Sequence, residues 1–140
     1  MKPIQPVVFI IWAALCFALI AYAVMLSAIT FAPAKAAQAS LTNIFALVAG
    51  CAAALSFFLR RLLLGGFIDG TQSVDDPASR GRFLAGHVVI FALSEGVGVL
   101  GLVNGLNSNG VGDAWLPFIG GALILMLLHI PLRSRFKSLA

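Results

Sequence analysis

Four long apolar runs, separated by short polar stretches, set the pattern of this chain. They lie at 7–29, 42–64, 83–106 and 114–132, and each holds few or no charged side chains. A helix rises about 1.5 Å per residue, so runs of about 19 residues or more match the roughly 30 Å hydrocarbon core of a bilayer. The pattern predicts an all-α, integral membrane four-helix bundle. It forms a single domain over 1–140, because no polar block is long enough to fold separately. Glycine and proline inside the runs do not count against helices in lipid, where neighbouring helices re-satisfy the backbone. The first run also exceeds the apolar region of a secretory signal, about 7 to 15 residues, and reads as a span.

Composition sharpens the picture. Charged residues make up 10% of the chain and hydrophobic ones 61%, whereas a soluble domain carries roughly 25% charged residues. The net charge of +4 does not point to nucleic acid. The basic residues stand beside the ends of apolar runs, where they set topology and meet lipid headgroups. Lys2 precedes the first run, Arg60, Arg61, Arg80 and Arg82 flank the second loop, and Arg133, Arg135 and Lys137 follow the fourth run. The first and third loops hold only Lys35 between them. The positive-inside rule then predicts cytoplasmic N and C termini and a cytoplasmic second loop.

The second loop, 65–81, reads as a polar turn whose Asp75 and Asp76 suit the positive N-terminus of the third helix. The third loop, 107–113, reads as a tight turn in which Asp113 caps the fourth helix. Trp12 and Trp115 lie near span ends, Trp115 as an interfacial anchor. Cys16 and Cys51 fall in separate runs with no partner motif, and read as small buried apolar side chains.

The only glutamate, Glu95, lies in the third run. In a helix it is about 20 Å from Arg82 and about 18 Å from Asn107, near the bilayer midplane. An ionised carboxylate there costs on the order of 2 to 4 kcal/mol and is kept for ion handling or for a polar contact between helices. His87, eight residues earlier and close to two turns away, shares its face, with Ser94 and Gly98 at the border. His87 reads first as a hydrogen-bonding group toward a neighbouring helix, and second as a step in a proton path. His129, followed by Pro131, reads as interfacial.

Gly96, Gly98 and Gly101 match the letters of a dinucleotide fingerprint. That mechanism needs a strand–turn–helix, which a membrane helix does not supply. Gly98, Gly101 and Gly105 read instead as a close-packing stripe. Ala46, Gly50 and Ala54 offer a counterpart, which predicts a tight hairpin of the second and third helices. The chain shows no second membrane carboxylate, no metal-ligand cluster and no nucleophile–base pair, so the reading includes no enzyme activity, metal or cofactor.

The segment 92–103, Ala-Leu-Ser-Glu-Gly-Val-Gly-Val-Leu-Gly-Leu-Val, resembles the carboxylate-bearing helix of the proteolipid ring subunit of rotary ATP synthases. The resemblance implies that Glu95 binds an ion. Gly96 stands where sodium-binding members have Ser or Thr, so the ion would be a proton. Over its full length the chain is similar to a group of small bacterial four-helix membrane proteins. The shared features are Ile-Ile-Trp-Ala-Ala-Leu at 10–15, the Arg60-Arg61 pair, the Glu95 element, and His-x-Pro-x-Arg at 129–133.

The leading expectation is a small non-enzymatic membrane protein, an accessory or structural subunit packing in a larger membrane complex or a homo-oligomer. Its partners are the lipid bilayer and another membrane protein or a second copy. The alternative is a proton-binding, proteolipid-like subunit in which Glu95 titrates and His87 feeds it. A weaker third reading is a small multidrug-type exporter, against which the position of Glu95 in the third span counts.

Overall fold

The computed structural model describes residues 4–28, 39–107 and 114–132. Four helices follow one another, α1 (Ile4–Ala28), α2 (Ala39–Asp69), α3 (Pro77–Asn107) and α4 (Leu116–Leu128), with no strand among the described residues. The first three are long and apolar enough to cross a membrane; α4 is not. It has 13 residues, about 20 Å of helix against a core of roughly 30 Å. Local chemistry sets its limits. Trp115 is the N-cap with no side-chain cap bond, proline occupies the first turn, and His129 closes the C-terminus, two residues before Pro131. Asp113, expected to cap this helix, lies outside the described residues, as do Lys2, Lys35, Arg133, Arg135 and Lys137.

The second loop is shorter than the sequence predicts, because α2 runs to Asp69 and α3 starts at Pro77. Gly70 turns the chain at φ 81°, a left-handed conformation that glycine adopts without penalty. The carbonyl of Gly66 then accepts from Gln72 N at 3.0 Å and from Thr71 Oγ1 at 3.2 Å, which satisfies one of the orphan acceptors of the helix end. Asp76 caps α3, its Oδ1 accepting from Ser79 N at 2.9 Å, with Pro77 at the first helical position where its missing N–H costs nothing. Arg80 ties the loop to the helix through Val74 O and Asp75 O, at 2.9 and 2.8 Å.

Helix α3 is central and packs against α2, α4 and α1, while α1 also meets α4. α2 and α4 touch little, and α1 and α2 barely meet. One core cluster joins all four helices, with Leu19, Phe67, Phe83, Ile90, Phe91 and Met126 among its members. The outer faces are as apolar as the core: Phe17 is 73%, Leu47 70% and Ile10 66% exposed. Water would make such a surface associate, whereas lipid tails would not.

The glycine stripe does not face α2, contrary to expectation. A Cβ on Gly98 would run into Leu19 of α1 and would sit 3.3 Å from Ala122 of α4. On Gly101 it would sit 2.6 Å from Phe118 Cβ, and on Gly105 2.8 Å from Leu26. Close approach of α2 and α3 occurs instead at Gly86, where a Cβ would sit 2.8 Å from Leu64. Gly50 has nothing within 4 Å of its Cβ position, and Ala46 and Ala54 are exposed. The physical reason is geometric: helical spacing fixes which residues share a face but not which helix that face meets. Two smaller expectations also fail. Trp115 is buried beside Leu26 and Ile119 instead of anchoring at the surface, and Cys51 is exposed.

Candidate functional site

Glu95 sits a little past the middle of α3 and is half-buried. Tyr22, in the last third of α1, donates its hydroxyl to Glu95 Oε1 at 3.3 Å. That length lies beyond the usual range for an O–H···O bond, so the tie is weak. Ser94, although fully buried, does not join it; its hydroxyl goes to Ile90 O of the same helix at 2.9 Å.

His87 is buried and faces an aromatic layer. Its Nδ1 donates to Phe83 O at 2.9 Å, and the rings of Phe83 and Phe91 stand 4.4 and 5.6 Å from its own. Eight residues of helix separate it from Glu95 by about 12 Å along the axis, with buried Ile90 and Phe91 between. The two predicted site residues therefore share α3 without meeting.

A second polar group links α2 to the end of α4. Ser56 Oγ lies 3.1 Å from His129 Nε2 and donates to Ala53 O at 2.7 Å. With the hydroxyl proton given to Ala53, His129 supplies the N–H of the pair. Phe57 lies against His129 with ring centres 4.9 Å apart. Arg60 Nη1 donates to Leu128 O at 3.1 Å, satisfying a carbonyl at the helix end that has no intrahelical donor. His129, the C-cap of α4, is 3% exposed and covered by α2, so its ring faces a neighbouring helix and not the surroundings of the bundle.

Two further ties complete the frame. Thr42 Oγ1 donates to Asn104 Oδ1 at 2.9 Å, and Asn104 Nδ2 to Ala114 O at 3.4 Å, joining α2, α3 and the turn before α4. Trp12 Nε1 donates to Met126 O at 2.7 Å, joining α1 to α4. Sequence reasoning missed Tyr22, Ser56, Thr42 and Asn104. The available signal was that each is a hydrogen-bonding side chain on an apolar helix, which must find a partner. Among the described residues no group of three or more His, Cys, Asp or Glu side chains stands ready for a metal ion.

No protein-family model, curated protein or solved structure matches the chain. What the geometry itself offers is one weakly held carboxylate and several stronger polar ties between helices.

Proposed function

We propose that this chain is a small, non-enzymatic, multi-pass protein of the bacterial inner membrane that serves as an accessory or structural subunit. It works by packing against a larger membrane complex or a second copy. The observation that carries this reading is the state of Glu95. A carboxylate at membrane depth costs about 2.5 to 3.5 kcal/mol, and an interhelical hydrogen bond returns about 0.6 and at most roughly 1.7 kcal/mol. The single long bond from Tyr22 does not offset that cost. The side chain is only half-buried, so a further partner can reach it from outside the bundle. The apolar outer faces support the same reading, since they present no polar surface that would keep a neighbour away.

A second reading, a proton-binding proteolipid-like subunit, draws on the same half-exposed position, which leaves the carboxylate reachable for proton exchange. In that case His87, about 12 Å from Glu95 along α3, does not hand a proton to it directly.

Native mass spectrometry from nanodiscs made directly from the source membrane tests both. The subunit reading expects a fixed stoichiometry that survives Glu95→Gln and loosens in Glu95→Leu. A ring of many copies with Glu95→Gln still assembled but unable to take up protons would favour the second reading. An assembly and a proton uptake both indifferent to Glu95→Leu would sink the two together.

A further inference from the structure

A groove of about 400 Å³ runs along the outside of the bundle between α2 and α4. Its walls include Ala46, Gly50 and Ala53 of α2 and Gly121 and Ile124 of α4, with Val97 of α3 between them. It exists because its two walls both pack on α3 and hardly on each other. One turn beyond Ala53 the walls close, where Ser56 meets His129 and Arg60 reaches Leu128 O. Arg60 therefore stands at the closed end, with Arg61 exposed beside it. The nearest acidic residue on α2 is Asp69, two turns further on.

Lengths fit an elongated guest. Arg60 is about 10 Å along α2 from Ala53 and about 21 Å from Ala46, while one leaflet of hydrocarbon is about 15 Å deep. A slot that is apolar along its length and cationic at one end suits an amphiphile with one anionic end. Basic sites between membrane helices take anionic headgroups, and a guanidinium matches phosphate with a planar fork of donors. A helix of a second copy fits less well. Among the described helices Glu95 lies on α3 and bonds to α1, and the other carboxylate, Asp69, stands at the loop end of α2 beyond the arginines, so the apolar stretch of a copy's helix that would fill the groove carries no anion placed for Arg60.

We infer that this groove seats one acyl chain of an anionic phospholipid, with the phosphate held by Arg60 and Arg61. The inference rests on the reading that the chain spans a bilayer. It places the lipid away from Glu95 and leaves that side free for a protein partner.

The test is native mass spectrometry of the full chain from nanodiscs holding equal parts phosphatidylglycerol and phosphatidylcholine. One retained phosphatidylglycerol per chain is expected, with retention about fivefold lower for each arginine removed in Arg60→Gln and Arg61→Gln, the factor that one charge is worth at an anionic surface. Gly50→Leu, which projects into the groove from a position with nothing within 4 Å, should abolish retention without unfolding the chain. Glycerol phosphate, a headgroup without chains, should not displace the lipid. Unchanged retention in Gly50→Leu, equal retention of the two lipids, displacement by glycerol phosphate, or a change of copy number in Gly50→Leu in place of lipid loss would each overturn the inference. Extraction of the chain by alkaline carbonate would overturn the bilayer reading as well, whereas lost lipid discrimination in a chain that stays embedded overturns this inference alone.

Discussion

Tyr22 and Glu95, the single tyrosine and the single glutamate of the chain, meet across 3.3 Å between α1 and α3. They are 73 residues apart in sequence, and the contact ties the last third of α1 to α3. Tyr22→Phe should cost about 0.6 kcal/mol and no more than roughly 1.7. Glu95→Gln should cost less, because an amide oxygen still accepts. Steric-trapping or denaturant unfolding in bicelles measures both. A larger loss in Glu95→Gln than in Tyr22→Phe would mean that the charge of the carboxylate matters, and not its capacity to accept.

Gly101 should tolerate nothing larger. A Cβ there would lie 2.6 Å from Phe118 Cβ and 3.2 Å from Trp115 O, and the backbone atom cannot swing aside. Gly101→Leu is expected to destabilise by about 1 to 3 kcal/mol, the usual range for overpacking. Gly96→Leu, at a position with nothing within 4 Å, should stay within about 0.5 kcal/mol of the wild type. Equal losses at the two sites would show that close approach of α3 to α4 is not what the stripe provides.

Asp76 gives a pH dependence at the loop end of α3. The hydroxyl of Ser79, then its backbone N–H, hold the Asp76 carboxyl below its ordinary value. A carboxylate depressed in the folded state stabilises above the unfolded value and loses that contribution as pH falls through the lower folded one. Amide protection in the first turn of α3, taken relative to the intrinsic exchange rate at each pH, should therefore fall on acidification through and below the ordinary carboxylate range. Asp76→Asn should keep the cap and remove the pH dependence, while Asp76→Ala should exchange fast at every pH. If Asp76→Asn retained the pH profile of the wild type, another group would have to be responsible.

Asn104 links three parts of the fold. Its Oδ1 accepts from Thr42 and its Nδ2 reaches Ala114 O. A double-mutant cycle of Thr42→Val and Asn104→Leu should give a coupling of about 0.6 kcal/mol, with Asn104→Leu alone costing more than Thr42→Val because it also releases the turn before α4. Additive single effects would place the two side chains in independent environments.

Three helices were legible in the sequence because their apolar runs far exceed the length at which a helix needs no further signal. The fourth was legible as a helix but not in its length, because the apolar run continues past the start at Leu116 and the end at Leu128. The cap on α3 was legible because Asp76-Pro77 acts locally. The glycine stripe was legible as a close-packing surface, but its partners Leu19 and Phe118 were not. Periodicity gives a face, and only the folded bundle decides what lies opposite. Glu95 was conspicuous as a lone carboxylate; Tyr22 was hidden because a tyrosine in an apolar run looks like any aromatic residue. Ser56 and His129 were hidden for a related reason, since neither has a local pattern and their meeting depends on where α4 stops.

The central position of α3 bears on how the protein is made. α1 and α2 leave the ribosome first, and they hardly touch each other. What joins them is α3, along with the last turn of α4. At about 5 to 20 residues per second, the first two helices wait several seconds for the third before either has a lasting neighbour. During that wait no packing among the described residues holds α1 against α2, which are joined only through the chain between them. A chain ended at Asp76 should accordingly yield two tethered helices that do not pack on each other, and appending 77–107 should clasp them. The third helix is thus the one whose arrival turns a string of apolar segments into a folded protein.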